Sequence, residues 1–197
     1  MSELVNRAFQ LAAELHAKQT RKGTTTPYLS HLMAVSALVL EDGGSDVAVA
    51  AALLHDAAED QGGEPTLERI RRTCGDDVAK IVAECSDSIG ETDADKAPWK
   101  ERKDAAIAHL PESSLEAALI KAADKLHNAS AILADLEDGA VGLKVWDRFN
   151  ASREDVLWYY RSMAEGLEAR VPTSRSVRLL RDAVERLFTT NNSPIAD

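Results

Sequence analysis

The sequence predicts an all-α fold, a single-domain helical bundle. Three observations carry that prediction. Apolar residues recur at helical spacing through most of the chain, and no stretch alternates cleanly with period two. Aromatics are only 5% of the residues while alanine is abundant, which suits closely packed helices. Gly, Pro and the capping residues Ser, Thr and Asp interrupt the pattern about once per helix. No internal repeat or low-complexity block appears. The 197 residues suffice for one domain with a sizeable core. We place that domain over residues 1–190 and a frayed tail over 191–197.

The elements follow in order. Leu4, Ala8, Leu11, Ala12 and Leu15 mark a first helix over residues 3–18. A loop with a basic start, Arg21 to Pro27, leads to a second helix capped by Ser30 and running to Leu40. Gly43 and Gly44 stop it. Ser45 or Asp46 caps a third, which ends near His55 to Asp60. Thr66 caps a short amphipathic helix that stops at Gly75, and Asp76 or Asp77 opens another, Val78 to about Cys85. Ser86 to Lys96 is polar and acidic and reads as a mobile loop. Pro98 suits the first turn of a helix reaching Leu110, and Pro111 to Ser114 breaks it. Leu115 to about Glu137 is the longest helix. Gly139 to Asn150 is irregular, Ser152 caps a helix through Arg170, and Val177 to Phe188 is the last.

The net charge of −10 argues against nucleic acid as a partner. A polyanionic substrate would be repelled by the bulk surface, so local cations must overcome that at its site. Cys74 and Cys85 form no CxxC pair and read as reduced thiols of a cytoplasmic protein. Residues 1–10 contain no signal-peptide core, and the longest apolar run, Val47 to Leu54, is too short to span a bilayer, so no membrane partner is expected.

That apolar run ends in His55, Asp56, Glu59 and Asp60. On a continuous helix His55 would neighbour Glu59, and Asp56 would neighbour Asp60. Such an end is costly to bury without positive charge. A divalent metal supplies it, since imidazole nitrogen and carboxylate oxygen are ordinary ligands. Two more candidates stand on other helices: His31, after Ser30, and Asp124, within Ala123-Asp124-Lys125-Leu126-His127-Asn128.

This order of His, His-Asp and Asp resembles the HD superfamily of metal-dependent phosphohydrolases. The flanks narrow the likeness. Gln19-Thr20-Arg21-Lys22-Gly23 with Pro27-Tyr28-Leu29-Ser30-His31, Ala52-Leu53-Leu54-His55-Asp56 with Glu59-Asp60, and Ala123 to Asn128 are similar to the hydrolase half of RelA/SpoT homologues, and above all to the small alarmone hydrolases. Three matching blocks in order, over roughly residues 1–170, make a specific signal.

The resemblance implies one manganese ion on His31, His55, Asp56 and Asp124. Read singly, each of these is a satisfied polar residue; jointly they fit a ligand set with room for water. The resemblance also implies that Glu59 and Asp60 work on the attacking water, that Arg21 and Lys22 border a nucleotide pocket, and that Asn128 hydrogen-bonds the nucleotide. For phosphate contacts, Trp99 stands where some relatives carry a basic residue, so Lys100 is the substitute, with Arg153 and Tyr159 from the later helix. His16, His109 and His127 are read as structural, His127 facing away from Asp124. The implied function is hydrolysis of the 3′-pyrophosphate of guanosine tetra- and pentaphosphate, without synthetase activity. Two alternatives stay open: a related nucleotide phosphatase, for instance one acting on NADPH, and a non-catalytic nucleotide sensor.

Overall fold

Ser2 opens α1 (Glu3–Leu15) by accepting the Val5 N–H with its hydroxyl oxygen. Ser45, Ser114 and Ser152 cap α3 (Asp46–Leu54), α8 (Leu115–Glu137) and α9 (Arg153–Arg170) in the same way. The other helices are α2 (Leu29–Glu41), α4 (Ala57–Asp60), α5 (Glu64–Cys74), α6 (Asp76–Cys85), α7 (Trp99–Ala108) and α10 (Arg175–Thr190). Short 3-10 turns follow α7 and α8, at Leu110–Glu112 and Gly142–Arg148. The computed structural model describes residues 2–86, 89 and 97–190. Most of the acidic loop with Lys96, and the whole tail 191–197, lie outside the described residues. Among the described residues the fold is all-α, and no helix is long and apolar enough to cross a membrane.

Several boundaries differ from the sequence reading: α1 ends at Leu15 rather than at residue 18, and four more bear on the frame of the molecule. α2 starts at Leu29, so Ser30 lies inside it and caps nothing. Thr66 lies inside α5, where its hydroxyl donates to the Gln61 carbonyl at 2.5 Å. α10 starts at Arg175 because Ser174 caps it and Asp42, at the end of α2, accepts from Ser174 and from the Arg175 N–H. Most consequentially, α3 stops at Leu54. His55 and Asp56 form a turn before the single turn of α4.

The core has two parts. α1 packs on α3, and Ala8, Ala12, Ala48, Ala51 and Ala52 are all fully buried. Side chains this small let the two backbones approach closely. Leu54, fully buried, closes α3 just before His55. Burying a leucine contributes about 1.5–3 kcal/mol, so the turn is anchored at its root. The second part lies among α8, α9 and α10. α8 belongs to both. Ala117, Ile120 and Ala123 enter the first cluster, while Ala118, Ala122, Leu126 and Ala129 enter the second. Asp124 therefore sits midway along a helix that is covered from both sides.

Candidate metal centre and adjoining cavity

Four side chains from α2, the α3–α4 turn and α8 converge. His55 Nε2 is 3.0 Å from Asp56 Oδ2 and 3.9 Å from Asp124 Oδ1. His31 Nε2 is 3.6 Å and 3.3 Å from the same two oxygens. The potential ligand atoms of His31, His55 and Asp56 all lie within 4.8 Å of one another. Asp124 stands at the edge of that set, close to both imidazoles.

The nitrogens fit a cation. Both Nε2 atoms are buried and have no hydrogen-bond partner. Leaving a buried polar atom unpaired costs about 1–3 kcal/mol, and a bound ion removes that cost. His55 Nδ1 is 2.8 Å from the Ala52 carbonyl, to which it donates, so Nε2 is the nitrogen turned toward the carboxylates. His31 Nδ1 is 2.9 Å from His127 Nδ1. The carboxylates are held as well. Tyr28 donates to Asp56 Oδ2 at 2.5 Å. Lys125 and Asn128 donate to Asp124 at 2.6 and 2.5 Å.

Burial works against ionisation of Asp56, but the His55 and His31 imidazoles beside it outweigh that and hold its carboxyl well below the usual range. Asp124 is likewise held low against burial, by the Lys125 ammonium and then by His31. Burial alone would lower His55; the neighbouring Asp56 and Asp124 charges instead raise it to about 9. A cation entering here therefore displaces a proton. Burial, then the charges of His31 and Arg21, lower His127 to about 4, so it is neutral at pH 7.

Glu59 and Asp60 reach the same cavity, about 210 Å³ in volume. Asp60 is open to solvent on one side and crowded by protein on the other. That partial burial, with the Asp56 charge, pushes its carboxyl up. Gln19 donates to Asp60 Oδ2 at 2.8 Å, and Gln61 in turn donates to Gln19 at 2.6 Å. Three lysines, Lys103, Lys121 and Lys125, line this cavity.

A larger cavity of about 600 Å³ adjoins it, sharing Tyr28 and Asn128. Arg21 and Lys22 line it, with Phe149, Val145 and Trp99 among its apolar walls. Arg21 donates to Asn128 Oδ1 at 2.7 Å, and Lys22 to Asn150 at 3.4 Å. Their loop turns at Gly23, where φ is +75°. A Cβ there would meet Arg148 Nε at 2.8 Å, so the loop is seated directly on Arg148. Arg148 is paired with Asp135 at 2.5 Å.

Of the predicted phosphate contacts, only Tyr159 lines the smaller cavity, its ring 5.0 Å from the Lys103 ammonium and 5.6 Å from that of Lys125. Lys100 does not reach either cavity. Its ammonium sits 3.0 Å over the Trp158 ring and pairs with Asp104. The Arg153 guanidinium is 5.9 Å from the Trp146 ring and lines neither cavity. His127, read as facing away, touches His31, because residues three apart on α8 share a face. From the sequence, Tyr28 and Gln19 carry no assigned role, although both stand inside the quoted blocks, as Lys125 does. Lys121 and Lys125 are legible there only as partners for Asp124, and Lys125 does pair with it.

The HD domain family profile matches residues 8–157. The Xenopus tropicalis guanosine-3′,5′-bis(diphosphate) 3′-pyrophosphohydrolase MESH1 is 41% identical over 64% of this chain and 67% of its own length. The Homo sapiens MESH1 is 37% identical over 61% and 65%. The matched stretch thus spans about two thirds of these relatives. A solved structure described as a metazoan ortholog of SpoT that hydrolyzes ppGpp superposes with a TM-score of 0.73 at 25% identity. That superposition covers 98% of this chain and 97% of the other.

Proposed function

The chain belongs to the HD domain family and has MESH1-like homologues, and from that premise we propose that it hydrolyses the 3′-pyrophosphate of guanosine tetra- and pentaphosphate, giving GDP or GTP and pyrophosphate. One observation carries the reading. Two buried, unpaired imidazole nitrogens and two carboxylates converge beside a nucleotide-sized cavity that carries Arg21 and Asn128. His31, His55, Asp56 and Asp124 would hold one divalent ion, assigned as manganese. When bound, such an ion supplies positive charge to the reacting phosphoryl group and acidifies water.

The protein's own groups do the rest. Asp60, with Glu59, takes a proton from the water that attacks the phosphorus attached to the ribose 3′-oxygen. That phosphorus–oxygen bond breaks, the 3′-oxygen takes up a proton from solvent, and pyrophosphate leaves intact. Lys103, Lys121 and Lys125 offset the phosphate charge that the acidic surface would repel. Arg21 presents a planar guanidinium to the base or the phosphates, and Asn128 orients the nucleotide. The domain is assigned to residues 1–190, acts by degradation alone, and works in the cytoplasm, where Cys74 and Cys85 stay reduced.

The test is product analysis. Manganese-loaded protein with guanosine tetraphosphate is expected to release GDP and intact pyrophosphate, to stop on chelation, and to form no alarmone from ATP and GDP. Release of single phosphates, or turnover of NADPH alone, would replace this reading with the phosphatase. Binding without any product would replace it with the sensor.

A further inference from the structure

His31 is fully buried, and its imidazole has two faces to satisfy. Nε2 looks toward Asp56 and Asp124. Nδ1 meets His127 Nδ1 at 2.9 Å, with the two rings 4.8 Å apart and tilted by 51°. A neutral imidazole carries one hydrogen, so exactly one arrangement across this contact can be a hydrogen bond at a time. If His127 donates, the His31 hydrogen moves to Nε2 and blocks the site. If His31 donates, its Nε2 lone pair is free for a cation.

We propose that His127 is a positioning residue: its Nδ1 accepts the Nδ1–H of His31 and so holds His31 in the tautomer that can ligate a metal. The device matches that of His55, whose Nδ1–H is taken by the Ala52 carbonyl. The difference is that a carbonyl can only accept, whereas His127 could do either. His127 also lines the larger cavity, so the residue that sets the His31 tautomer is itself part of the nucleotide chamber wall. The inference rests on the metal reading above and goes beyond it.

Manganese binding to the full chain, measured by calorimetry without substrate, separates the two. His127→Phe keeps a ring but removes the acceptor; His127→Asn places an amide oxygen near the position of Nδ1. His127→Phe is expected to weaken manganese binding roughly 10–100-fold, the usual cost of losing such a partner, and His127→Asn to restore most of it. Wild-type affinity in His127→Phe, or equal weakness in both variants, would overturn the positioning role and leave the metal reading standing. No manganese binding by the wild type would overturn both. Should His127→Phe fail to fold, nitrogen NMR of the zinc-loaded wild type decides. The hydrogen is expected on Nδ1 of His31, with Nδ1 of His127 bare; the reverse would overturn the proposal.

Discussion

At the metal centre each side chain is held from behind by a separate group: His55 by the Ala52 carbonyl, His31 by His127, Asp56 by Tyr28, Asp124 by Lys125 and Asn128. The four held side chains stand on α2, on the turn between α3 and α4, and on α8. The larger cavity adjoins it and shares Tyr28 and Asn128; its cationic side chains come from loops and a 3-10 turn, with Arg21 bonded to Asn128, Lys22 to Asn150 and Arg148 to Asp135. The first region is set before anything binds; the second can adjust to its ligand. Damage at the centre should therefore be close to all-or-none and appear in metal content and kcat. Damage in the cavity should be graded and appear in KM.

The largest effect tests the first half of that contrast. Asp56→Asn keeps the shape of the side chain but removes the charge between two imidazoles. Manganese affinity is expected to fall by more than the roughly 10–100-fold that an outer hydrogen bond is worth, and turnover to drop to background. Metal analysis of the purified variant is the check. Wild-type metal content in Asp56→Asn would mean that the four groups are not a ligand set.

Next in size is Asp60→Asn, which should lower kcat by roughly 10²–10⁴-fold while metal stays bound. Asp60 also makes a prediction about pH. Its carboxyl is raised by partial burial and by Asp56, and a base works only when ionised. Activity should thus fall as pH drops through a value above the ordinary ~3.9 of an aspartate. The Gln19 N–H favours the ionised form, so Gln19→Leu removes that help and raises the carboxyl further. The acidic limb of kcat/KM should move to higher pH in this variant. An unmoved limb would take Asp60 out of the role of base.

The same contrast governs how much could be read from the sequence. The helices of the centre announce themselves through apolar runs, with serine caps on α3 and α8, and α8 lies where its pattern places it, Leu115 to Glu137. His31, His55 and Asp56 come together with Asp124 beside them, and the sequence signal for that convergence is the ordered His, His-Asp and Asp blocks, since any one of these residues alone reads as an ordinary polar side chain. The break after Leu54 was not legible. Nothing in Ala57-Ala58 forbids a continuous helix, yet His55 and Asp56 form a turn. Lys100 shows the other limit. Sequence places a lysine one position after Trp99, but on a helix one position is about 100° of rotation. Lys100 turns to Trp158, and Lys103, one turn after Trp99, reaches the smaller cavity. Which face of a surface helix meets a site depends on how it docks, and α7, with no buried residue of its own, carries no apolar stripe to reveal that.

The smallest expected effect sits where the two regions touch. Arg21 donates to Asn128 Oδ1, and Asn128 Nδ2 donates to Asp124, so a chain of two hydrogen bonds links the cavity to a metal-site carboxylate. Arg21→Ala removes the first bond and leaves the second. Asp124 keeps both Asn128 and Lys125, so manganese content and folding should match the wild type. The loss falls on the nucleotide. A hydrogen bond to a charged group is worth about 1.5–3 kcal/mol, which sets a KM increase of roughly 10–100-fold with kcat within a few-fold. Arg21→Lys restores the charge but not the flat face, so it should recover part of that loss if the guanidinium stacks on the base, and nearly all of it if only charge matters. Steady-state kinetics alongside metal analysis reads both. Loss of manganese in Arg21→Ala would show that the cavity loop helps to build the centre, and the division between a fixed centre and an adjustable cavity would have to be given up.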